Sequence, residues 1–366
     1  MALSPQLVPV SFPDLPGWAD DDLAAAMAAY RRSAQRGLER AYRTGALGVA
    51  ASACVPVFAA AVELAEADAR TARTFFETRF TPCRVQPEAG ATGLVTGFYE
   101  PIANASSVRS ETFRFPVYAR PHDLIDIDDE NRPAGLDPYL AFARAGSPAS
   151  EYFDRAAIEQ GALAGRGLEI AWLSDKVDLF FIHVQGAARL RMTDGTEHRI
   201  TYAAKSGQRF TGPGHVLAEL GEIPRAEVTM QSIRAWFRAN PGRIGEILHR
   251  NRSFIFFRDA PVADPELGPI AAAKVPLTAG RSLAVDRLLH TFGTPLYVVA
   301  PTLAAFGAAP FRRLMIAQDT GSAIIGAARG DLFTGSGDAA GEIAGVIRNE
   351  AEFFCLVPNS LVDAGR

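Results

Sequence analysis

Near its C-terminus the chain reads Arg313-Leu-Met-Ile-Ala-Gln-Asp319-Thr-Gly-Ser-Ala-Ile-Ile-Gly-Ala-Ala-Arg-Gly-Asp331-Leu-Phe-Thr-Gly-Ser-Gly-Asp338. The apolar run 314–317 is typical of a short buried strand, which would end at Asp319. Glycine loops follow, and a third segment opens at Asp331. Glycine-rich backbone lets a ligand approach closely, and catalytic groups concentrate on loops held by a rigid sheet. The stretch therefore predicts two carboxylates in one cleft, although two loop-capping aspartates would give the same spacing.

The composition indicates an ordinary globular protein. The chain has 366 residues, of which 48% are hydrophobic and 21% charged, so we expect about two domains with ample core. The net charge of −4 provides no basic footprint for nucleic acid, and we predict no nucleic-acid partner. The window 46–64 is too interrupted by Pro56 and Glu63 for a membrane span.

Export and cysteine chemistry are less well defined by the sequence. The first 30 residues contain no Lys or Arg and no apolar run long enough for a secretory signal. A cytoplasmic protein and an exported protein whose signal lies outside this chain both fit. Cys54, Cys83 and Cys355 lack metal-type spacing, so we expect no metal. Three buried thiols are the favoured interpretation, and a Cys54–Cys83 disulfide is the alternative.

Short strands dominate the predicted secondary structure. Acidic residues before residue 23 and arginines after residue 30 predict an N-terminal helix, and Asp194-Gly195 between alternating runs predicts a hairpin over 189–202. Further helices are predicted over 49–68, 69–80, 229–240 and 243–250. Strands are predicted over 94–100, 113–118, 178–185, 254–257, 295–299, 314–317 and 352–357, the first of them ending in an exposed aromatic and a carboxylate. This pattern favours β-barrel domains with helical decoration.

Several other chemistries can be weighed against a carboxylate site. Asp319-Thr-Gly matches half of an aspartic protease site, which needs two such loops, so a protease would have to dimerise. Lys205-Ser206 and His183 could serve a hydrolase, but neither lies in a nucleophile elbow. Glycines 335–341 do not have dinucleotide-binding spacing, and a turn with Asp338 as helix cap is favoured there.

Taken together, the segments resemble the MltA family of lytic murein transglycosylases, which end in a so-called 3D domain. The resemblance rests, in chain order, on Gly97-Phe-Tyr-Glu-Pro101, Asp154-Arg-Ala-Ala-Ile158, Gly167-Leu-Glu-Ile-Ala-Trp172, Phe181-Ile-His-Val-Gln-Gly186, Tyr202-Ala-Ala-Lys-Ser-Gly207, Asn251-Arg-Ser-Phe254, Val275-Pro-Leu-Thr278, Ser282-Leu-Ala-Val-Asp286 and residues 317–338. Each motif is weak alone, but the ordered series is specific.

The resemblance implies a mainly β fold with two domains and a groove between them. Residues 1–105 and 253–366 would form a double-psi β-barrel domain with N-terminal helices, and residues 106–252 an inserted smaller β-barrel. Such enzymes cleave the β-1,4 bond between N-acetylmuramic acid and N-acetylglucosamine and leave a 1,6-anhydro end, without a cofactor or metal. The resemblance also implies a cell-envelope location on the periplasmic face, at the outer membrane, although no lipid anchor is visible. A non-catalytic peptidoglycan-binding protein is the alternative.

Position by position, the resemblance assigns Asp331 as the general acid and base, with Asp319 and, more weakly, Asp286 in support. The expected substrate-binding residues are Tyr99, Glu100, Gln185, Gly186, Lys205, Gly321 and Ser322. The expected partners are peptidoglycan glycan strands and other cell-wall enzymes, and we expect a monomer.

Overall fold

The protein is mainly β. The structure is a computed structural model that describes residues 2–64, 67–128, 130–307 and 309–363. The strands are β1 Leu7–Pro9, β2 Phe80–Val85, β3 Leu94–Glu100, β4 Ile102–Ser106, β5 Phe115–Tyr118, β6 Leu124–Asp126, β7 Phe142–Arg144, β8 Glu169–Leu173, β9 Ala187–Met192, β10 Glu197–Lys205, β11 Ile255–Asp259, β12 Ser282–Val285, β13 Pro295–Ala300, β14 Phe311–Asp319, β15 Arg329–Ser336, β16 Arg348–Glu350 and β17 Glu352–Pro358.

Helices decorate these sheets. They are α1 Leu23–Glu39, α2 Ala51–Glu63, α3 Ala69–Arg79, α4 Arg155–Ala157, α5 Lys176–Gln185, α6 Pro213–Glu219, α7 Met230–Ala239, α8 Ile244–Leu248, α9 Asp338–Ala344 and α10 Asn359–Asp363. Short 3-10 helices cover Phe12–Asp14, Trp18–Asp20, Arg225–Glu227 and Pro241–Arg243, and a π-helix covers Ile158–Ala162. Within the described ranges, none of the helices combines the length and the apolarity that crossing a bilayer requires.

The chain divides into two compact units, which we call unit 1 (residues 1–99 and 262–366) and unit 2 (residues 100–261). Unit 1 holds a sheet in the order β1-β2-β17-β13-β14-β12-β15-β3-β16. Strands β12 and β14 run parallel, whereas β1–β2, β2–β17, β13–β17, β13–β14, β12–β15 and β3–β16 are antiparallel pairs. Helix α1 packs on this sheet, and the apolar side chains between them form the main core. The sheet is thus a rigid support for whatever its strand ends carry.

Unit 2 contains a second sheet, ordered β11-β10-β9-β4-β8-β5. A bridge between Ala119 and Phe257 links the two edges of this sheet, which therefore curls into a nearly closed barrel. The Asp194-Gly195 turn joins β9 to β10, with Gly195 at φ 87°. The predicted hairpin is confirmed. Strands β6 and β7 form a separate pair in a segment for which no strand was predicted.

The predicted N-terminal helices are confirmed in outline. Asp22 caps α1 by accepting a hydrogen bond from the Ala25 backbone N–H, which satisfies one of the free donors at a helix start. The helix predicted over 49–68 is α2, Ala51–Glu63; residues 65 and 66 of that prediction lie outside the described residues. The prediction of three buried thiols is confirmed as well, because Cys54, Cys83 and Cys355 are all free and buried.

One secondary-structure prediction is wrong. Residues 178–185 form part of helix α5 and not a strand. Asp175 accepts hydrogen bonds from the backbone N–H groups of Val177 and Asp178, and Gly186 ends the helix in the left-handed conformation. The segment is buried almost all round, so its apolar run shows neither helical nor strand periodicity clearly. The caps were the signal that could have distinguished the two.

Candidate active site

Strand pairing in unit 1 places the two carboxylates of the opening stretch in one row. Ala284 on β12 pairs with Asp319 on β14 on one side and with Asp331 on β15 on the other. Two strand spacings separate the aspartate backbones by roughly 10 Å. The alanine between them is short, so both carboxylates have room to extend over it. This strand register supports the prediction that the two aspartates lie close together.

The Thr96 hydroxyl and the Arg329 guanidinium lie near Asp331. Its Oδ1 accepts a hydrogen bond from the Thr96 hydroxyl at 2.6 Å, and the same hydroxyl oxygen accepts one from Arg329 Nη2 at 2.6 Å. Burial raises the pKa of Asp331, while the Thr96 hydrogen bond and the Arg329 charge oppose that rise. Asp331 still keeps part of its surface exposed. A desolvated carboxyl that a ligand can reach is suited to proton transfer.

Asp319 lies in a similar environment but has different partners. Its Oδ1 accepts from the Ala272 backbone N–H at 3.1 Å. Burial raises its pKa from 3.8 to about 6; backbone hydrogen bonds from Thr320 and Ala272 oppose this, the Asp331 charge adds to it, and the Lys274 charge lowers it. The effect of the Asp331 charge on the pKa of Asp319 indicates that the two carboxyls lie close to each other.

Lys274 lies in the tight turn that reaches Asp319. It is exposed and adopts φ 63°, a left-handed conformation that is uncommon for a residue with a side chain. Its N–H donates to the Ala271 carbonyl. This turn, residues 271–275, positions the Ala272 N–H over Asp319.

Asp286 has a supporting place rather than one in the carboxylate row. It is buried directly after β12, where its Oδ1 accepts from the Leu288 N–H and its Oδ2 from the Gly326 N–H, each at 3.0 Å. It thereby ties the loop after β12 to the glycine loop before β15. That second loop also contains Gly321 and Ser322, which are both exposed.

The expectation that β3 ends in an exposed aromatic and carboxylate is wrong. Tyr99 and Glu100 are both buried, and Glu100 has no accessible surface. Glu100 forms ion pairs with Arg189 at 3.3 Å and Arg199 at 3.4 Å, while the Tyr99 ring packs against Gly341, where an added Cβ would approach it to 2.9 Å. The glycine at 341 makes room for the ring. We therefore propose no substrate contact for Tyr99 or Glu100.

The other expected binding residues lie in unit 2. Gln185 and Gly186 are partly exposed at the end of α5, where the Gly186 carbonyl accepts from the Tyr202 N–H. Lys205 ends β10, and its ammonium lies 4.8 Å from the centre of the Tyr139 ring, a cation–π distance.

The competing hydrolase residues are structural. His183 is buried on α5 with Nδ1 3.1 Å from Arg155 Nη2, and burial lowers its pKa well below its usual range. The Ser206 hydroxyl is fully buried and donates to Gln208 Oε1. Neither group is available to a substrate. The prediction that Asp338 caps a helix is also wrong, because Gly337 is the cap and Asp338 lies in the first turn of α9.

Three neighbouring residues were not predicted as part of this site. Thr96 donates a hydrogen bond to Asp331, and Arg329 donates one to Thr96. Gln318 is fully buried beside Asp319, accepts from the Ser282 hydroxyl and donates to the Ala29 carbonyl. The spacing Arg329-Gly-Asp331 on a strand places both charges on one face and could have identified Arg329. In the described part of the chain, no three His, Cys, Asp or Glu side chains are grouped to hold a metal.

Comparison with known protein families matches both parts of this architecture. The family model of the MltA specific insert domain matches residues 94–258, and that of the 3D domain matches residues 281–357. Membrane-bound lytic murein transglycosylase A of Vibrio cholerae is 32% identical over 257 residues, which cover 69% of this chain. The chain belongs to the MltA family. The resemblance seen in the sequence is thus confirmed, although the chain covers only 62% of the length of that Vibrio cholerae relative and 61% of its Escherichia coli counterpart.

Solved MltA-family structures share the fold. A membrane-bound lytic murein transglycosylase from Agrobacterium tumefaciens is 49% identical with a TM-score of 0.92, covering 98% of this chain and 99% of that one. MltA from Neisseria gonorrhoeae is 32% identical with a TM-score of 0.80, covering 98% and 94%. Escherichia coli MltA with bound chitohexaose is 25% identical with a TM-score of 0.71, covering 98% and 96%. The predicted mainly β fold class is confirmed.

Proposed function

We propose that this protein is a peptidoglycan lytic transglycosylase that cleaves the β-1,4 bond between N-acetylmuramic acid and N-acetylglucosamine. The observation that carries the proposal is the row Asp319–Ala284–Asp331 in the 3D-domain segment, since both carboxyls have a raised pKa. A carboxyl that stays protonated at a higher pH can donate to a leaving oxygen. The chitohexaose bound by Escherichia coli MltA and the names of the relatives support a β-1,4-linked amino-sugar substrate.

The proposed reaction uses one carboxyl twice. Asp331 donates its proton to the glycosidic oxygen as the bond from that oxygen to C1 of muramic acid breaks, and an oxocarbenium-like centre forms. The 6-hydroxyl oxygen of the same sugar then bonds to C1, and its proton passes to Asp331. No water is consumed and Asp331 is regenerated. Because the nucleophile belongs to the substrate, a second carboxylate is not required as base, and Asp319 acts on the proton affinity of Asp331.

Secondary parts of the proposal rest on the family resemblance. We propose that Gln185, Gly186, Lys205, Gly321 and Ser322 contact sugar or peptide. The substrate would place the protein in the cell envelope, in agreement with relatives that are named membrane-bound. The periplasmic face, the outer membrane, a monomeric state and partners among other cell-wall enzymes belong to this proposal too.

The decisive experiment is mass spectrometry of products released from purified sacculi. Wild type should release 1,6-anhydro muropeptides, and Asp331→Asn should release at least a hundredfold less because the amide cannot donate the proton. Asp338→Asn, an exposed substitution in the same segment, is the matched control and should retain activity.

Other outcomes distinguish the alternatives. Products one water heavier would indicate a hydrolase. Sacculus binding without soluble product would indicate a binding protein, and pepstatin-sensitive peptide cleavage would indicate a dimeric protease. Full activity in Asp331→Asn with none in Asp319→Asn would move the acid to Asp319.

A further inference from the structure

The hydrogen bond that Asp331 accepts comes from a hydroxyl that is itself held by a cation. Arg329 Nη2 donates to Thr96 Oγ1 at 2.6 Å, and Thr96 Oγ1 donates to Asp331 Oδ1 at 2.6 Å. A guanidinium has donors and no acceptor, so the direction of the first bond is fixed. The three side chains therefore form a directed chain that ends on one carboxylate oxygen.

The sheet dictates this arrangement. Arg329 and Asp331 are two residues apart on β15, so their side chains leave the same face of the strand. Strand β3, which carries Thr96, lies next to β15 in the sheet. Thr96 is β-branched and has few rotamers on a strand. The Thr96 hydroxyl therefore lies between the Arg329 guanidinium and the Asp331 carboxyl, and all three side chains are carried by strands of the sheet.

The direction of the chain distinguishes the two oxygens of Asp331. Thr96 has a single hydroxyl hydrogen, and among the described residues the acceptor recorded for it is Asp331 Oδ1. Since that hydrogen occupies Oδ1, the carboxyl proton has its place on Oδ2. Without Arg329, the hydroxyl would be free to rotate and to accept from a protonated Oδ1 instead.

We infer that Arg329 is a positioning residue for Asp331 that acts through Thr96, and that this relay assigns the transferable proton to Oδ2. The inference rests on the proposed function of Asp331. When the Oδ2 proton passes to the glycosidic oxygen, negative charge develops on the carboxylate, and the Thr96 hydrogen bond at Oδ1 becomes charge-assisted. The 6-hydroxyl proton returns to Oδ2.

The charged groups around Asp331 determine the expected sign of each change. Asp319 lies across Ala284, Arg329 lies on the same strand, and Arg348 on β16 pairs with Thr96. Burial raises the pKa of Asp331, and Thr96 and Arg329 lower it. Removal of either partner should therefore raise that pKa further, and so weaken the acid and extend activity to higher pH.

The test is a carbon-13 NMR titration of aspartate carboxyls in the full chain without substrate, with Asp331→Asn to assign the resonance. Thr96→Val should raise the pKa of Asp331 because the carboxylate loses a hydrogen bond, and Thr96→Ser, which keeps the hydroxyl, should restore it. Arg329→Gln should also raise it, in part because the Arg329 charge is lost. The double variant should shift less than the sum of the single shifts, since the part of the Arg329 effect that Thr96 transmits is already lost in Thr96→Val.

The pH profile of kcat/KM provides a second measurement. Its alkaline limb should move upward in Thr96→Val and return in Thr96→Ser. Strictly additive shifts in the double variant, no shift in Thr96→Val, or no rescue by serine would overturn the relay. If even wild type released no anhydro product, the proposed function would fail while the titration would still decide the relay.

Discussion

At the scale of single residues, Asp319 lies in a position that disfavours its charged form. Its carboxyl is desolvated, and the Asp331 charge opposes its ionisation. Two backbone hydrogen bonds, from Thr320 and Ala272, and the charge of Lys274 only partly offset this. When Asp319 is ionised, the folded protein should therefore be less stable than a variant with a neutral side chain at this position.

This predicts a pH-dependent stabilisation by Asp319→Asn. The folded pKa of about 6 lies above the unfolded value near 3.9, so the folded state binds more protons between these values. Wild-type stability should therefore fall as the pH rises from about 4 to 6. The asparagine variant has no such loss and should be more stable by roughly 1–2 kcal/mol at pH 7, after allowance for partial exposure.

Calorimetric unfolding at pH 4, 5, 6 and 8 measures the effect. Asp20→Asn, which also removes one negative charge but at an exposed position, is the matched control. A constant difference between Asp319→Asn and wild type at every pH would contradict the raised pKa.

At the scale of elements, residues that cap a helix distinguish helix from strand where the apolar pattern alone is ambiguous. Helix α5 has buried side chains on most faces, and its sequence is rich in β-branched and aromatic residues that also suit strands. The Asp175 cap and the Gly186 stop make it a helix. Strands β9 and β10 are the opposite case. Their alternation of apolar and polar residues and the Asp194-Gly195 turn both predicted the hairpin that the structure has.

The cap yields a prediction for unit 2. Asp175→Ala should destabilise it by about 1 kcal/mol, because two backbone N–H groups at the start of α5 lose their acceptor. Asp175→Asn should retain most of the stability, since asparagine caps equally well. Urea unfolding followed by the fluorescence of Trp236, which packs in the same core cluster as Phe180 and Phe181, reports it. Equal loss in both variants would indicate a role of the charge and not of the cap.

At the scale of the whole molecule, unit 1 is assembled from the two ends of the chain. Asp21, before α1, forms a buried ion pair with Arg281, 260 residues later, at 2.9 Å, and also accepts from the Leu314 N–H. Gln318 similarly joins α1 to the sheet beside Asp319. The N-terminal helices are therefore part of the support on which the carboxylate row rests.

Arg281→Met should destabilise unit 1 by about 3–5 kcal/mol, because it leaves the Asp21 carboxylate buried without its counter-charge. Arg84→Met breaks an ion pair with Glu352 in the same unit, and both of these side chains are about half exposed. It should cost less than about 1 kcal/mol. Thermal unfolding of the two variants compares them directly. Similar midpoints would show that burial of the first pair has no energetic consequence.

Much of this protein was determined by sequence alone: the mainly β class, the hairpin, the capped N-terminal helix, the family and the two aspartates of the opening stretch. These depend on local periodicity, turn chemistry and motif order, which a linear chain displays. The tertiary structure alone decided that Ala284 separates Asp319 from Asp331, that Thr96 and Arg329 hold Asp331, and that Glu100 is buried between arginines. These facts depend on strand register between segments up to hundreds of residues apart, and on desolvation, which no single segment contains.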